Sequence, residues 1–543
     1  MAPRPSSDSP EAPASSRSAA VRLLLEHQQN AVFTAIAVVL GLPSLLYPFG
    51  RDQGLYYYVG REWVLRGSVP YRDVLDHKTP GIYVLHALAV LLFGEKQWGI
   101  RVFDLAAVVA FGLVAGSLFE RSGKPIKDGI RGGAALFASL LFYGFLDFWN
   151  TAQSELWYSG LGVAGVWAAW RARTIERASA AAGVFAGMTL VMKPPGIWFL
   201  FVALGLLLLR LRREQGLSAR ALLRHGALYA AGAALVPGLV LAYFGSKGAL
   251  FAMRDIVVGA NSYYVKHESG SPGHFNWKDH AGYIFTVYAP FTVIFPAGVA
   301  LGLALSRKRR DVELAERNVI ALLLLASAIL AVSMQGKYYL LHWGTLAIPG
   351  AFLGVVAIDN MSGHLRPFLR AVILPGVAAA GYVATAWIGK PWMGQAAVHQ
   401  RDTVALELRY LRGEIPREAL HDRFQEPIIG FWYANSYRVG RWLKEHTSPE
   451  DTITVRGFQP EIYAIAERRH AGRFFWTTFL TNPARAYRRE EWLAEDRRDL
   501  ESHPPKYVVT LTDIHQGPDS SEWFLTVGYH TVLVMGQFTI VAR

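Results

Sequence analysis

Between its first apolar stretch and its second, the chain carries Arg51-Asp52-Gln53-Gly54, Tyr56-Tyr57-Tyr58, Pro70-Tyr71-Arg72-Asp73 and Asp76-His77-Lys78-Thr79-Pro80-Gly81. This stretch is too polar to cross a bilayer and too patterned for a plain loop. A carboxylate such as Asp52 can take a proton from a hydroxyl or amine and orient it for attack on an anomeric carbon. Asp73, Asp76, His77 and Lys78 add acidic and cationic groups able to neutralise a departing phosphate or to hold a divalent ion, although Asp-x-x-Asp-His is no firm metal signature. Plainer roles compete: Asp52 paired with Arg51 at a membrane surface, and Asp76 and Thr79 as local acceptors capping the next helix.

Four further segments carry candidates. Glu155 follows Asn150-Thr151-Ala152-Gln153-Ser154 at the start of an apolar run, where it either caps a helix or acts chemically. Lys193, in Lys193-Pro194-Pro195-Gly196, either binds a lipid phosphate as a point charge or snorkels to the interface. Gly336-Lys337-Tyr338-Tyr339-Leu340-Leu341-His342-Trp343 contains an aromatic belt, which accounts for the rings but less readily for Lys337 and His342. The polar stretch from Gly245 to His280 carries Tyr263, Tyr264, Lys266, His267, His274, Asn276 and His280, suiting a cover over a substrate; His267 could join His77 and Asp76 around a metal.

The elements that position these groups are set by composition. The 543 residues are 52% hydrophobic with a mean hydropathy of +0.21, too apolar for a soluble chain of this size. The net charge of +13 lies in short clusters between apolar runs, the distribution of cytoplasmic loops and not of a nucleic-acid-binding face. With no cysteine, disulfides, thiolate nucleophiles and Cys-ligated metals are excluded. About eleven spans are expected, at 31–47, 99–119, 132–147, 156–170, 178–192, 195–209, 222–245, 282–306, 318–334, 339–358 and 369–388.

Loops rich in Arg and Lys, such as Arg121 to Arg131, Arg171 to Arg177 and Arg307 to Arg310, alternate with short loops at 148–155, 193–194 and 336–337. Charge parity puts the first set in the cytoplasm and every candidate group outside it, provided that 81–94 lies in the interface and does not span. The expected divisions are a disordered cytoplasmic tail at 1–25, a membrane domain at 26–390 with its first external loop at 50–98, and a periplasmic α/β domain at 391–543. Strands are expected at 452–455 and 507–510, a helix at 461–468, and a hairpin of 531–534 with 538–541 around Gly536. Lys193-Pro194-Pro195-Gly196 should break one long apolar stretch into two helices.

The order Asp52-Gln53-Gly54-x-Tyr56, Gly67-x-x-Pro70-Tyr71-Arg72-Asp73, Asp76-His77-Lys78-Thr79-Pro80-Gly81, Phe93-Gly94 and Arg101 resembles the GT-C superfamily over about 31–360. Within it the chain is most similar to the bacterial branch of ArnT-like and Rgt-like transferases and, more distantly, to protein O-mannosyltransferases. The resemblance implies an inverting glycosyltransferase of the bacterial inner membrane that moves a sugar from a polyprenyl-phosphate donor to a lipid, glycan or protein acceptor on the outer face. It makes Asp52 and Glu155 the catalytic carboxylates and Lys78, Lys193 and Lys337 the donor-phosphate contacts. Arg51, Tyr56, Tyr71, Asp73, Asp76 and His342 would support them. No cofactor is certain, and a divalent metal at His77, Asp76 and His267 stays open, since His77 stands where ArnT-like proteins carry Glu. The other class considered is a transporter or lipid-linked-sugar flippase, which would concentrate its charged groups near the bilayer midplane.

Overall fold

The computed structural model describes residues 16–119, 129–268, 291–362, 367–388, 395–426, 430–483, 487–513 and 519–543, with isolated positions 282, 288, 365, 485 and 517. Helix α1 (Ser16–Gly41) is followed by α2 (Arg51–Arg66), α3 (Pro80–Phe93), α4 (Trp98–Ser117), α5 (Ile130–Tyr143) and α6 (Ser154–Arg171). Then come α7 (Ile175–Met192), α8 (Ile197–Glu214) and α9 (Ala219–Ser246). Four long helices complete the bundle: Phe291–Arg309, Val312–Gln335, Ala347–Ser362 and Pro367–Ile388. Among the described residues, eight segments are long and apolar enough to cross a bilayer, so the chain is a multi-pass membrane protein.

Three expected spans, 132–147, 156–170 and 369–388, are not among those eight. Helix α5 has only 14 residues, and all but Arg131 are buried, so it is the hub of the bundle rather than a lipid-facing span. Helix α6 opens on Ser154-Glu155 and is also almost wholly buried. Helix α1 begins at Ser16, inside the segment expected to be an unstructured tail, while 1–15 lie outside the described residues. The Lys193–Gly196 break is present: α7 ends at Met192, Pro194–Gly196 form a single turn, and α8 begins at Ile197.

The polar stretch after the first apolar segment folds into α2 and α3. On α3, Val84, Leu88, Leu91 and Leu92 are exposed on one face while Ile82, Tyr83, His86 and Ala87 are buried on the other. An apolar face left outward on a 14-residue helix is the pattern of a helix lying in the interface, as the charge parity requires.

After residue 395 the chain forms an α/β domain on a five-stranded sheet of order Arg469–His470, Thr452–Val455, Tyr507–Leu511, Phe538–Ala542, His530–Met535. The first three strands run parallel and the last two form the antiparallel hairpin expected around Gly536. The domain docks on α2: Tyr58 stacks on Phe475 with centroids 4.3 Å apart and accepts from the His470 amide at 2.7 Å. Arg61 donates to the Arg468 carbonyl at 2.9 Å, and Trp476 to the Leu75 carbonyl at 3.0 Å. Gly54 permits the closest approach, because a Cβ there would stand 2.7 Å from the Glu461 amide nitrogen.

Candidate active site

The starts of α2, α3 and α6 and the break between α7 and α8 meet at one end of the bundle. Thr79, at the start of α3, donates its hydroxyl to the Met192 carbonyl at 2.7 Å instead of capping its own helix. A Cβ on Gly81 would lie 2.8 Å from the Met192 Cα, so glycine lets these two chain segments touch. That contact sets Lys78 close to Lys193, which also lies within electrostatic reach of Asp52.

Glu155 is buried in the first turn of α6, where the helix dipole favours its charge, and forms an ion pair with Lys193. Asp52 sits half-buried in the first turn of α2 and is approached by the Gln153 amide at 3.4 Å. Gln153 in turn accepts from the Tyr56 hydroxyl at 3.0 Å. The Tyr56 phenol is held well above its usual value, by burial first and then by the charges of Asp52, Glu155 and Asp76. Three carboxylates from three elements therefore surround one tyrosine.

Asp76 is fully committed, accepting from Tyr83 at 2.7 Å and from the backbone and ring nitrogens of His77 at 2.8 and 3.0 Å. Burial pushes its carboxyl up, but His77, Lys78 and Tyr83 outweigh that and leave it lowered. Burial brings His77 down to about 4, helped by the adjacent Lys78, so its ring is neutral near pH 7. With Glu155 on Lys193 and Asp76 on Tyr83 and His77, the Lys78 ammonium has no ion-pair or hydrogen-bond partner among the described residues. Its backbone, by contrast, is fixed by Tyr71 and Tyr83. An anion at this place meets an available cation.

The remaining candidates are placed as follows. Asp73 is turned to Arg72 and the Val69 amide, closing a turn, and is not brought into the group. Tyr71, buried at a φ of +72°, is held by its hydroxyl on the Lys78 carbonyl and by Arg473 on its own carbonyl. Arg51 faces the C-terminal domain, donating to the Gly430 carbonyl at 3.2 Å. Lys337 lies over the Tyr264 ring, whose hydroxyl accepts from Arg485 at 2.8 Å and whose edge meets His77 at 6.1 Å. His342 is buried in the turn Leu340–Leu346, where Gly344 faces the Glu155 side chain. His267 stacks on Tyr263 and bonds its carbonyl, and no group of three metal-ligating side chains occurs among the described residues. His274, Asn276 and His280 lie outside those residues.

A supporting layer was given no role by the reading of motifs, although Gln53 and Arg101 stand in them. On α4, Arg101 donates to Thr151 at 2.6 Å and to the carbonyls of Pro48 and Phe148, while Asp104 accepts from the Ala152 amide and from Trp157. Gln53 donates to the carbonyls of Trp149 and Thr151. Together they fix the loop 147–153, including Ala152 at a φ of +54°, and so set Gln153 beside Asp52. The available signal was two ionisable residues three apart inside an apolar run, a costly arrangement unless each has a partner.

No protein-family model and no curated protein sequence matches the chain. Its structure does match: ArnT from Cupriavidus metallidurans bound to undecaprenyl phosphate superposes with a TM-score of 0.57 at 15% identity, over 94% of this chain and 97% of that one. This is the GT-C fold. The apo state of the same protein gives a TM-score of 0.54 at 15% identity, over 96% and 98% of the two chains. AglB from Archaeoglobus fulgidus superposes more loosely, at 0.45 and 12% identity, over 90% and 70%. The match runs almost end to end, so the GT-C architecture includes the C-terminal α/β domain as well as the bundle.

Proposed function

We propose that the protein is an inverting glycosyltransferase that takes a sugar from a polyprenyl-phosphate carrier and delivers it to an envelope lipid, glycan or protein outside the cytoplasm of a bacterial inner membrane. One observation carries this reading: Asp52, the Glu155–Lys193 pair and the available Lys78 converge from four segments far apart in sequence. The end-to-end likeness to a protein whose structure holds undecaprenyl phosphate supports it.

In this mechanism Asp52 accepts the proton of an acceptor hydroxyl or amine as that atom bonds to the anomeric carbon. The bond from that carbon to the phosphate oxygen breaks, and its electron pair leaves with the polyprenyl phosphate. Lys78 and Lys193 stabilise the charge that gathers on the phosphate, so no acid is needed to protonate it. A single displacement from the face opposite the phosphate inverts the anomeric centre. Glu155 holds Lys193 in place and keeps its charge where the phosphate arrives.

The flippase alternative requires charged groups acting inside the bilayer. Arg101 and Asp104, both in a span, are instead bound to the loop that carries Gln153. Membranes containing the protein, supplied with labelled polyprenyl-phosphate sugars, should transfer label to envelope material. The Asp52→Asn form should not, and full transfer by it would defeat the assignment.

A further inference from the structure

The C-terminal domain holds a cavity of about 330 Å³ that the mechanism does not use, lined by Arg456, Asp496, Arg497, Glu522, Trp523 and Thr526 among others. Small-molecule sites occupy roughly 300–1,000 Å³, so it is large enough for a small ligand. It lies where the sheet reverses its winding. The chain leaves Thr452–Val455 towards Arg469–His470 on one side and leaves Tyr507–Leu511 towards the hairpin on the other. Arg456 directly follows the first of these strands, and Glu522, Trp523 and Thr526 come after the second. Crevices outside the carboxyl ends of strands at such a reversal are where open α/β sheets bind ligands. The rim is also joined to the candidate active site through Gly457 and Asp519, each next to a lining residue. Thr477 accepts from the Gly457 amide at 2.6 Å and donates to the Asp519 carboxylate, while the preceding Trp476 has its ring 6.1 Å from that of His77.

The lining decides the class of ligand. Arg456 donates to Asp496 at 2.9 Å with both side chains 3% exposed, and the other Asp496 oxygen accepts no hydrogen bond among the described residues. A shielded ion pair stabilises a domain no better than apolar packing would, so stability alone does not account for this one. Arg456 and Arg497 are balanced by Asp496 and Glu522, so the cavity carries no excess positive charge to hold a phosphate or other anion. What it offers is strong donors beside strong acceptors, the Thr526 hydroxyl and a half-buried indole. A sugar hydroxyl both donates and accepts, and so bridges a guanidinium and a carboxylate. The C–H face of a sugar ring is drawn to the negative face of an indole. We propose that this cavity binds a neutral sugar unit of a glycan acceptor, holding it in the C-terminal domain while the reacting end of the same glycan lies at Asp52. That the sugar belongs to an acceptor rests on the glycosyltransferase reading; that the cavity binds a sugar does not.

The test is a saturation-transfer NMR titration of the purified full-length protein in a detergent without a sugar headgroup. The probes are the methyl glycosides of glucose, galactose, mannose and arabinose, with inorganic phosphate as the anionic comparison. At least one glycoside should bind with a Kd on the order of 1 mM, the strength expected of so small a ligand, and phosphate should not displace it. Trp523→Ala should weaken that binding about tenfold or more. Glu522→Gln, at an exposed position, should weaken it several-fold and keeps the test available if Trp523→Ala does not fold. The glycoside that binds should also slow the transfer of labelled sugar to envelope material by wild-type membranes, and slow it less in the two variants. No glycoside bound, an affinity unchanged in every variant that folds, or displacement by phosphate overturns the inference and leaves the glycosyltransferase reading intact. A bound glycoside that does not slow transfer overturns the acceptor role. Binding that the variants weaken, in a protein that transfers no sugar, keeps the cavity's assignment and overturns the glycosyltransferase reading.

Discussion

Glu155 in the first turn of α6 and Lys193 at the break between α7 and α8 form an ion pair in which the carboxylate is almost wholly shielded from solvent. The two residues are 38 apart in sequence and are joined because a helix ends at Met192, just before Lys193 and the proline pair Pro194-Pro195. The pair fixes a cation beside Lys78 without cancelling Lys78 itself.

Breaking that pair should therefore separate stability from chemistry. Glu155→Gln leaves a buried ammonium uncompensated and should cost about 3–5 kcal/mol, read as a lowered denaturation midpoint in detergent. The double variant Glu155→Gln with Lys193→Met should recover much of that stability and none of the transfer.

Lys78→Ala should behave in the opposite way. Its ammonium makes no hydrogen bond or ion pair with another described residue, so the midpoint should stay within about 0.5 kcal/mol of wild type. The KM for a polyprenyl-phosphate sugar should rise roughly tenfold or more, the loss of one charge contact to a phosphate.

Asp52→Asn keeps shape and removes the proton acceptor, so kcat should fall by about 100-fold or more with little change in donor binding. An equal fall in donor affinity, measured by competition with the polyprenyl phosphate alone, would count against the role of base.

Gly54→Ala tests the docking of the C-terminal domain on α2. The added carbon meets backbone at Glu461, which cannot swing aside. The variant should lose about 1–3 kcal/mol and, by displacing the turn that bears Asp52, lose transfer as well.

Acid should unfold the protein steeply. His77 is lowered to about 4 by burial and Lys78, so between pH 6.5 and 4 the unfolded chain binds a proton that the folded one refuses. Stability falls as pH falls through that window, by about 3 kcal/mol for this residue. His421 and His470, each lowered to about 3 by burial and a nearby arginine, act in the same direction. His77→Gln should flatten the acid limb of a stability–pH curve by its share.

Much of the frame was legible in local pattern. The strand at Thr452–Val455, the hairpin around Gly536, the interfacial α3 and the break at Lys193 all lie where β-branched runs, turn glycines, length and proline place them. The span positions followed from apolar runs of bilayer length, because that signal is additive along a few turns of one helix. Helix α5 shows the limit: its apolar run announced a span, but its nearly complete burial belongs to a hub, and burial is a property of neighbours.

The candidate residues divide along the same line. Sequence alone placed Asp52, Glu155, Lys78 and Lys193 beside the ends of apolar runs, since residue type and spacing are local quantities. It could not say that Asp73 turns to Arg72, that Arg51 turns to the Gly430 carbonyl of the C-terminal domain, or that Arg101 and Asp104 fix the loop beside Asp52. Those outcomes depend on which groups meet across as many as 412 positions, from Tyr58 to His470, and only the packed fold decides which charge is compensated and which remains available.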